Sequence, residues 1–259
     1  MKNADMNKES KNVWKVIKTE PENHDTTSLY LEGGNAKFST RRAGQYASIR
    51  IMRADGWSEP HPFTISAAPE DQNLRLTIKK SGVFTTSIQD VQPGTPVKCA
   101  GPLGVFCKDI DTKDDIVMIA GGVGITPFLS VLRHFQNIDA KNSAILFWSN
   151  KTIEDAFAAD ELNVMTKELN LTVIHALTRE ENVQKYIQDA FPQVLYASER
   201  VGKELLQRYV DGIHKASIYL CGPPKMMDFV LEELKNLDID PKSVAIESFS
   251  WEKQEKSSQ

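Results

Sequence analysis

The sequence predicts a two-domain protein in which a six-stranded antiparallel β-barrel precedes an α/β domain with a parallel sheet. Its 259 residues exceed the usual size of one domain. Short runs of alternating apolar and polar residues fill the first part of the chain, whereas apolar runs alternate with helical periodicity in the second. We place the boundary in the polar stretch 111–115, which gives domains 12–110 and 111–259, and we expect residues 1–11 to be disordered.

Composition and charge exclude several classes of protein. The chain is 41% hydrophobic and 25% charged, as globular proteins are, and its net charge of −4 argues against a nucleic-acid partner. No uncharged stretch reaches the ~20 residues of a membrane span, and the polar start lacks the apolar core of a secretory signal. We therefore expect a cytoplasmic protein. Three cysteines argue against a disulfide framework, a structural metal site and an iron–sulfur cluster, which normally needs four thiolates.

Six segments of the first domain have the pattern of short strands. Leu74, Leu76 and Ile78 alternate with polar residues, as half-buried strands do. Glycine-containing turns such as Asp55-Gly56 and Pro93-Gly94 separate the segments. This spacing predicts a small antiparallel barrel. The predicted strands are 13–18, 26–31, 46–52, 61–66, 74–79 and 96–100.

The second domain alternates strands with helices. Ala158, Leu162, Met165 and Leu169 recur at helical spacing between two apolar runs. Crossover connections of this kind imply a parallel sheet. The predicted strands are 116–120, 144–148, 171–177, 217–221 and 244–249.

A glycine-rich loop follows the first strand of this domain. Gly121, Gly122 and Gly124 allow the backbone to approach a ligand closely, and the next helix presents unpaired N–H groups to it. Thr126 suits the N-cap and Pro127 the first helical position. A pyrophosphate is the natural ligand, although a plain tight turn explains the glycines equally simply.

A second loop of this kind contains Cys221, Gly222 and Pro223. It begins at the carboxyl end of a strand, where open α/β sheets bind ligands. The alternative is that Cys221 is only a small buried apolar residue. We interpret Met226 and Met227, on the helix that follows, as core residues.

Two clusters of the first domain offer groups for a ligand. Residues 61–66 combine an imidazole, an aromatic ring and hydroxyls, but adjacent residues of a strand face opposite sides, so all can touch one ligand only where the strand ends. The alternative is a half-buried strand with an incidental histidine. Gly82, Thr85 and Thr86 indicate a short helix at a second phosphate, or simply a turn with capping hydroxyls.

Taken together and in this order, the motifs resemble those of the ferredoxin–NADP reductase superfamily of flavin-dependent oxidoreductases. The resemblance runs from about Val13 to Phe249 and implies an FAD-binding barrel followed by an NAD(P)-binding domain. The His61–Thr64 motif stands where the family has Arg-x-Tyr-Ser/Thr and is similar to the form of the ferric reductase and NADPH oxidase branch.

The resemblance also implies roles for individual residues. Phe63 would pack on the isoalloxazine ring, Thr64 would hydrogen-bond flavin N5, and His61 would lie near the ribityl–phosphate chain. Implied catalytic residues are Thr64, Cys221 and Glu247. Implied flavin contacts are Tyr46, His61, Pro62, Phe63, Thr64, Gly82, Thr85, Thr86 and Phe249. Implied NAD(P) contacts are Gly121, Gly122, Gly124, Thr126, Pro127, Thr178, Arg179, Cys221, Gly222 and Pro223.

Two departures from the family pattern qualify these roles. A histidine is mostly neutral at pH 7, so we expect looser flavin binding or help from another cation such as Arg50. The chain also continues past Phe249, so that either Phe249 or Trp251 shields the flavin.

The predicted activity is hydride transfer from NAD(P)H to FAD, with electrons then passed to an acceptor such as a ferredoxin, a flavodoxin or an oxygenase or haem component. The alternatives are a reductase subunit of a larger haem or iron–sulfur complex and a redox-silent nucleotide-binding module.

Which nucleotide is used stays open at this point. Arg179, after Thr178, favours NADPH or only caps a strand end, and Lys151 marks the adenosine side equally well. The cationic pairs 41–42 and 79–80 are candidates for acceptor docking or ordinary solvated surface.

Overall fold

The first domain is an antiparallel barrel. The structure is a computed structural model that describes residues 13–34 and 36–249. All six predicted strands are present, and a two-residue strand, β4, is additional. The strands are β1 Val13–Pro21, β2 Thr26–Glu32, β3 Tyr46–Arg53, β4 Gly56–Trp57, β5 His61–Thr64, β6 Leu74–Lys79 and β7 Pro96–Leu103.

The barrel closes through the residues that follow β5. The order along the sheet is β4-β3-β7-β1-β2-β6, and β5, which is not part of this sequence of neighbours, also pairs with β3. Ile65 forms a bridge with Leu76 of β6, and the Ser66 N–H donates to the Arg75 carbonyl at 2.8 Å. These contacts complete a ring of six strands, which surrounds a core that includes Trp14 and Ile49.

The second domain is a six-stranded parallel sheet with helices on both faces. The strand order across this sheet is β11-β10-β9-β8-β12-β13. Successive strands are added on one side of β8 up to β11 and on its other side from β12 onward, and ligands of open α/β sheets bind at such a switch point. The strands are β8 Asp115–Gly121, β9 Ser143–Asn150, β10 Leu171–Leu177, β11 Val194–Ala197, β12 Ser217–Gly222 and β13 Ala245–Ser248. The sequence pattern missed β11 because four residues are too few to show a period.

Five α-helices accompany the strands among the described residues. Helices α2 and α3 cover one face of the parallel sheet, and α4 and α5 cover the other. The helices are α1 Val83–Thr86, α2 Thr126–Asn137, α3 Ala159–Glu168, α4 Lys203–Tyr209 and α5 Pro224–Lys235.

The expected helix start at Thr126 is wrong by one position. Thr126 is the first residue of α2 and Ile125 is its N-cap, because the turn Gly122–Ile125 already has 3₁₀ geometry that runs into the helix. The Thr126 hydroxyl donates to the Val123 carbonyl at 3.0 Å and so joins the turn to the helix.

Three further expectations concern the limits of the chain and of its domains. Among the described residues, no helix has the length and apolar character needed to cross a membrane. The expected disorder of 1–11 and any role of Trp251 lie outside the described residues. The domain boundary at 111–115 stays a prediction.

Candidate functional site

A cavity of about 460 Å³ lies where the barrel meets the parallel sheet. Both domains contribute to its walls, so that a ligand of the barrel and a ligand of the sheet can meet there. The lining residues are Gly44, Tyr46, Pro62, Phe63, Thr64, Thr77, Ile78, Lys79, Lys80, Ser81, Thr85, Val123, Thr126, Glu247, Ser248 and Phe249.

The end of β5 brings three adjacent residues to this cavity. Pro62, Phe63 and Thr64 all line it, although neighbours in a strand normally face opposite sides. They can do so because β5 ends at Thr64. The sequence pattern requires such a strand end if neighbouring residues are to touch one ligand. Thr64 is 6% exposed and lies opposite Tyr46 in the β3–β5 register, so an aromatic ring and a hydroxyl face the ligand together.

His61 is turned toward a different neighbour. Its ring stacks on Phe84 of α1 with the ring centroids 3.7 Å apart and the planes 5° from parallel. Its Nδ1 lies 2.8 Å from the Glu59 carbonyl, which can only accept, so Nδ1 carries the hydrogen. Among the described residues, the cavity lining does not include His61.

A cation that sequence reasoning missed lies beside this stack. The Arg53 guanidinium is 5.2 Å from the Phe84 ring centroid and donates to Ser87 Oγ at 2.6 Å. Arg50, the cation that the sequence suggested, is exposed on β3. Arg53 is therefore the arginine placed to supply positive charge near α1.

The loop before α1 is organised by one threonine. The Ser81 and Gly82 N–H groups donate to Thr85 Oγ1 at 2.8 and 2.9 Å, and that hydroxyl donates to the Gly82 carbonyl. Thr85 therefore shapes the loop, whereas Thr86 is exposed.

Two lysines add positive charge to this end of the cavity. Lys79 and Lys80 belong to the lining and not only to the solvated surface. Lys79 Nζ is 2.7 Å from an Asp25 carboxylate oxygen, and Lys80 Nζ donates to the His24 carbonyl.

The glycines of the second domain allow two loops to pack against each other. A Cβ on Gly124 would clash with the Cys221 carbonyl and lie 2.9 Å from Gly222 Cα. A Cβ on Gly121 would lie 2.8 Å from Pro223 Cδ. The two predicted nucleotide loops are thus in backbone contact at the carboxyl ends of β8 and β12.

Gly122 needs to be glycine for another reason. Its φ of +51° is in the left-handed region, where other residues are strained. Its carbonyl accepts from Trp148 Nε1 at 2.9 Å, which fixes the loop to β9.

Cys221 and Glu247 lie side by side on β12 and β13, but only Glu247 reaches the cavity. Cys221 is fully buried, and burial raises the pKa of its thiol well above the ordinary value. Burial also raises the pKa of Glu247. The thiol therefore stays neutral, while the Glu247 carboxyl takes up a proton more readily than an exposed glutamate.

Thr178 and Arg179 lie at the carboxyl end of β10, away from the cavity. The Thr178 hydroxyl donates to the Asn150 carbonyl at 3.2 Å, and the Arg179 N–H donates to the Lys151 carbonyl at 2.9 Å. Both side chains are exposed, so the ends of β9 and β10 present Lys151 and Arg179 as neighbouring cations.

The structure therefore brings together part of the predicted set and adds to it. Eight predicted residues line the cavity, namely Tyr46, Pro62, Phe63, Thr64, Thr85, Thr126, Glu247 and Phe249. The end of β6 contributes Thr77 to Ser81, of which sequence reasoning assigned none to the site. Thr77 stands at an ordinary polar position of the alternating run Leu74–Lys79, so no local signal marked it as a site residue.

These features fit a flavin dinucleotide. Tyr46 and Phe63 supply planar apolar surface, and Thr64 supplies a hydroxyl. Lys79 and Lys80 belong to the same lining, although their ammonium groups contact Asp25 and His24. The described residues hold no group of three or more His, Cys, Asp or Glu side chains arranged for a metal ion.

Comparisons with known proteins identify both domains. Residues 9–115 match the FAD-binding domain family, and residues 118–232 match the oxidoreductase NAD-binding domain family. Between them the two family models match most of the chain, which therefore contains an FAD-binding domain and an oxidoreductase NAD-binding domain, and the predicted resemblance to the ferredoxin–NADP reductase superfamily is confirmed.

The chain is also similar to curated relatives that are longer. It is 28% identical to the reductase component of propane 2-monooxygenase from Mycolicibacterium goodii, over 91% of this chain and 66% of that protein. It is 25% identical to the flavohemoprotein of Bacillus subtilis, over 90% of this chain and 58% of that protein. The chain thus spans 58–66% of the length of these two relatives.

Solved structures share the two-domain fold. A Malassezia yamatoensis flavohemoglobin with bound FAD and haem aligns at a TM-score of 0.73 and 22% identity, over 96% of this chain and 64% of that one. A Neisseria gonorrhoeae ferredoxin NADP⁺ reductase with bound FAD and NADP aligns at a TM-score of 0.71 and 17% identity, over 91% of this chain and 97% of that one. The predicted barrel and parallel-sheet architecture is confirmed.

Proposed function

We propose that this chain takes a hydride from NAD(P)H onto FAD and passes the electrons to an acceptor held by another protein or domain. The observation that carries the proposal is the shared cavity. Phe63 and Thr64 of the barrel face Val123, Thr126 and Glu247 of the nucleotide domain across one space. A hydride donor and its acceptor can therefore be held in contact.

The barrel residues would hold and orient the flavin. Tyr46 and Phe63 would pack on its ring system, and the Thr64 hydroxyl would hydrogen-bond it. Bound flavin accepts the hydride and can release electrons singly, which is chemistry that the cofactor supplies.

The nucleotide domain supplies backbone groups and one carboxyl side chain. The loops of Gly121 and Gly222 would hold the pyrophosphate and the nicotinamide side of NAD(P)H. Glu247, whose pKa burial raises, would take up a proton at the cavity wall more readily than an exposed glutamate. Cys221 is a neutral, buried thiol outside the cavity lining, so it would position the loop of Gly222 and would not act as a nucleophile.

The acceptor lies outside the described residues. Named relatives include reductase components of propane 2-monooxygenase and of a naphthalene 1,2-dioxygenase system. We propose an acceptor of the same kind, an iron–sulfur or haem centre on a partner, because three cysteines are too few for a cluster in this chain.

The preferred nucleotide is proposed to be NADPH. Lys151 and Arg179 are exposed neighbours at the edge where the adenosine half would lie, and two cations suit a 2′-phosphate.

An anaerobic titration of the purified chain with NADH and with NADPH tests the function. The chain should bind FAD with a yellow flavin absorbance and should be bleached by either nucleotide. A Phe63→Ala variant should bind FAD more weakly, and a variant of the exposed Thr86, Thr86→Ala, serves as the matched control. A chain that stays colourless after FAD is added overturns the proposal. A flavin that binds but is not reduced favours the redox-silent module.

A further inference from the structure

One face of α2 is joined to the barrel by polar contacts. Ser130 Oγ donates to the Ala67 carbonyl at 2.8 Å, and Arg133 Nη1 donates to the Ser66 carbonyl. His134 Nδ1 lies 2.7 Å from a carboxylate oxygen of Glu70. We call these contacts between α2 and residues 66–70 the α2 seam.

The α2 seam connects the two structural elements that would hold the two cofactors. Helix α2 begins at Thr126, directly after the loop Gly122–Ile125 that would hold NAD(P)H. Segment 66–70 follows Thr64, which lines the cavity and would hydrogen-bond the flavin, after a single intervening position. A shift of α2 along the barrel would therefore change the separation of the two cofactors.

Charged side chains of α3 and β6 support the α2 seam. Arg133 makes two contacts to the Glu161 carboxylate, at 2.6 and 2.7 Å, and Arg75 of the barrel lies 3.9 Å from the same carboxylate. Burial acts to raise the pKa of Glu161, but the hydrogen bond from Arg133 and the charges of both arginines outweigh it and lower that pKa. Only 11% of the Arg133 side chain is exposed, whereas 34% of the Glu161 side chain is, so the arginine side of this pair is the more protected from water.

The barrel side of this network reaches the cavity wall. Arg75 Nε–H donates to Ser28 Oγ at 3.0 Å, and the Ser66 hydroxyl donates to the Arg75 carbonyl at 3.0 Å. Thr77 Oγ1 lies between Ser28 Oγ and Ser66 Oγ, at 2.8 and 2.9 Å. Since the Ser66 hydrogen is committed, Thr77 must donate to Ser66, and Ser28 must donate to Thr77.

This directional ring of hydroxyls leaves no hydroxyl hydrogen of Thr77 for a ligand. Thr77 lines the cavity, and its hydroxyl is linked through Ser28 and Ser66 to Arg75, the arginine 3.9 Å from the Glu161 carboxylate. The barrel side of the cavity, which we call the flavin wall, and the α2 seam therefore belong to one hydrogen-bonded network.

We propose that Arg133 is a positioning residue for hydride transfer: it sets the separation between the nucleotide loop and the flavin wall without touching either cofactor. The proposal rests on the proposed function. An arginine suits this role because its planar guanidinium donates to Glu161 of α3 through Nε and Nη2 and, at the same time, to the Ser66 carbonyl across the seam through Nη1. A lysine has no such fixed set of donors.

The test compares Arg133→Met, Arg133→Lys and Ser130→Ala with a matched surface control, Arg208→Met. Arg208 also pairs with a glutamate, Glu199 at 2.6 Å, but on an exposed face of α4. For each variant, three quantities are measured: FAD affinity by fluorescence, the rate of flavin reduction at saturating NAD(P)H, and amide hydrogen exchange of the FAD-free chain.

Both Arg133 variants should bind FAD within about twofold of the parent, yet reduce it about tenfold or more slowly, since a 1 Å misplacement costs on the order of 10²-fold. The loss should fall on the maximal rate and not on KM. Exchange should rise in 66–70 and 126–137 of the FAD-free chain, and Arg133→Lys should recover part of the rate. Arg208→Met should match the parent throughout.

The proposal is overturned if an Arg133 variant shows faster amide hydrogen exchange in the α2 seam but reduces the flavin at the rate of the parent. The contacts of Arg133 would then be only structural. If Arg133→Met does not fold, the Ser130→Ala variant decides. A slower flavin reduction in Ser130→Ala supports the proposal, and an unchanged rate contradicts it. A parent chain that binds FAD but is never reduced contradicts the proposed function itself, which is a different outcome.

Discussion

The two walls of the cavity are built by opposite means. The flavin wall consists of side chains, with Tyr46, Phe63 and Thr64 supplying surface and a hydroxyl. The nucleotide wall, which includes Val123, Thr126 and Glu247, is positioned by missing side chains, because Gly121 and Gly124 let two loops beside it touch through their backbones. The flavin wall should therefore lose function gradually with substitution, whereas the nucleotide wall should fail when a single methyl group is added.

The largest expected effect is that of Gly124→Ala. The added Cβ would meet the Cys221 carbonyl, backbone that cannot move aside, so we expect a loss of about 3 kcal/mol in the free energy of unfolding. Denaturant unfolding measures it. Gly82→Ala is the control, since Gly82 has an extended φ of −171° and no atom within 4 Å of the new Cβ. Equal stability of the two variants would contradict the comparison.

The nucleotide domain should also be the more sensitive to mild acid. His175 is fully buried between Trp148 and Tyr196, and neither ring nitrogen has a hydrogen-bond partner among the described residues. Burial lowers its pKa from the ordinary 6.5 to about 4. The folded state thus binds fewer protons than the unfolded one between these values, and about 3 kcal/mol of stability is lost as the pH falls from 6.5 to 4.

His175→Phe should remove this part of the pH dependence, which unfolding curves at pH 7 and pH 5 would measure. His214→Gln, at an exposed histidine, is the control and should keep the parent slope. If the free energy of unfolding of His175→Phe depends on pH as steeply as that of the parent, other groups cause the acid sensitivity.

A smaller effect is expected at the adenosine edge. If Arg179 contacts the 2′-phosphate, Arg179→Ala should lower the ratio of NADPH to NADH reduction rates about tenfold, or roughly 1.4 kcal/mol. Steady-state rates with both nucleotides measure the ratio, and Arg208→Ala is the control. A ratio that stays at the parent value means that Arg179 only caps the strand end.

The smallest expected effect concerns the loop before α1. Thr85→Val removes the oxygen that accepts from Ser81 and Gly82, whose N–H groups are near solvent, so the loss should be about 1 kcal/mol. Thr85→Ser should restore the loop, and the exposed Thr86→Val should change nothing. Thermal unfolding and FAD affinity together measure these effects. A greater loss from Thr86→Val would identify Thr86 as the organising residue.

Local sequence signals determined the element types and the positions of the loops. Alternation along 74–79 predicts a strand, and glycines after an apolar run predict a loop at a strand end, because both depend on neighbours within a few residues. The same locality explains the misses. Strand β11 has only four residues, and the Thr126 position depended on how the preceding turn winds.

Only the tertiary structure decided which residues share the site and how its halves are joined. It turned His61 onto Phe84, added the end of β6 to the cavity and placed Ser130 against Ala67, 63 positions away in the chain. Contacts of such separation leave no periodic trace in the sequence, since each partner satisfies its own local pattern without the other. The sequence by itself therefore determined the two cofactor domains, and packing between them decided the geometry in which they would react.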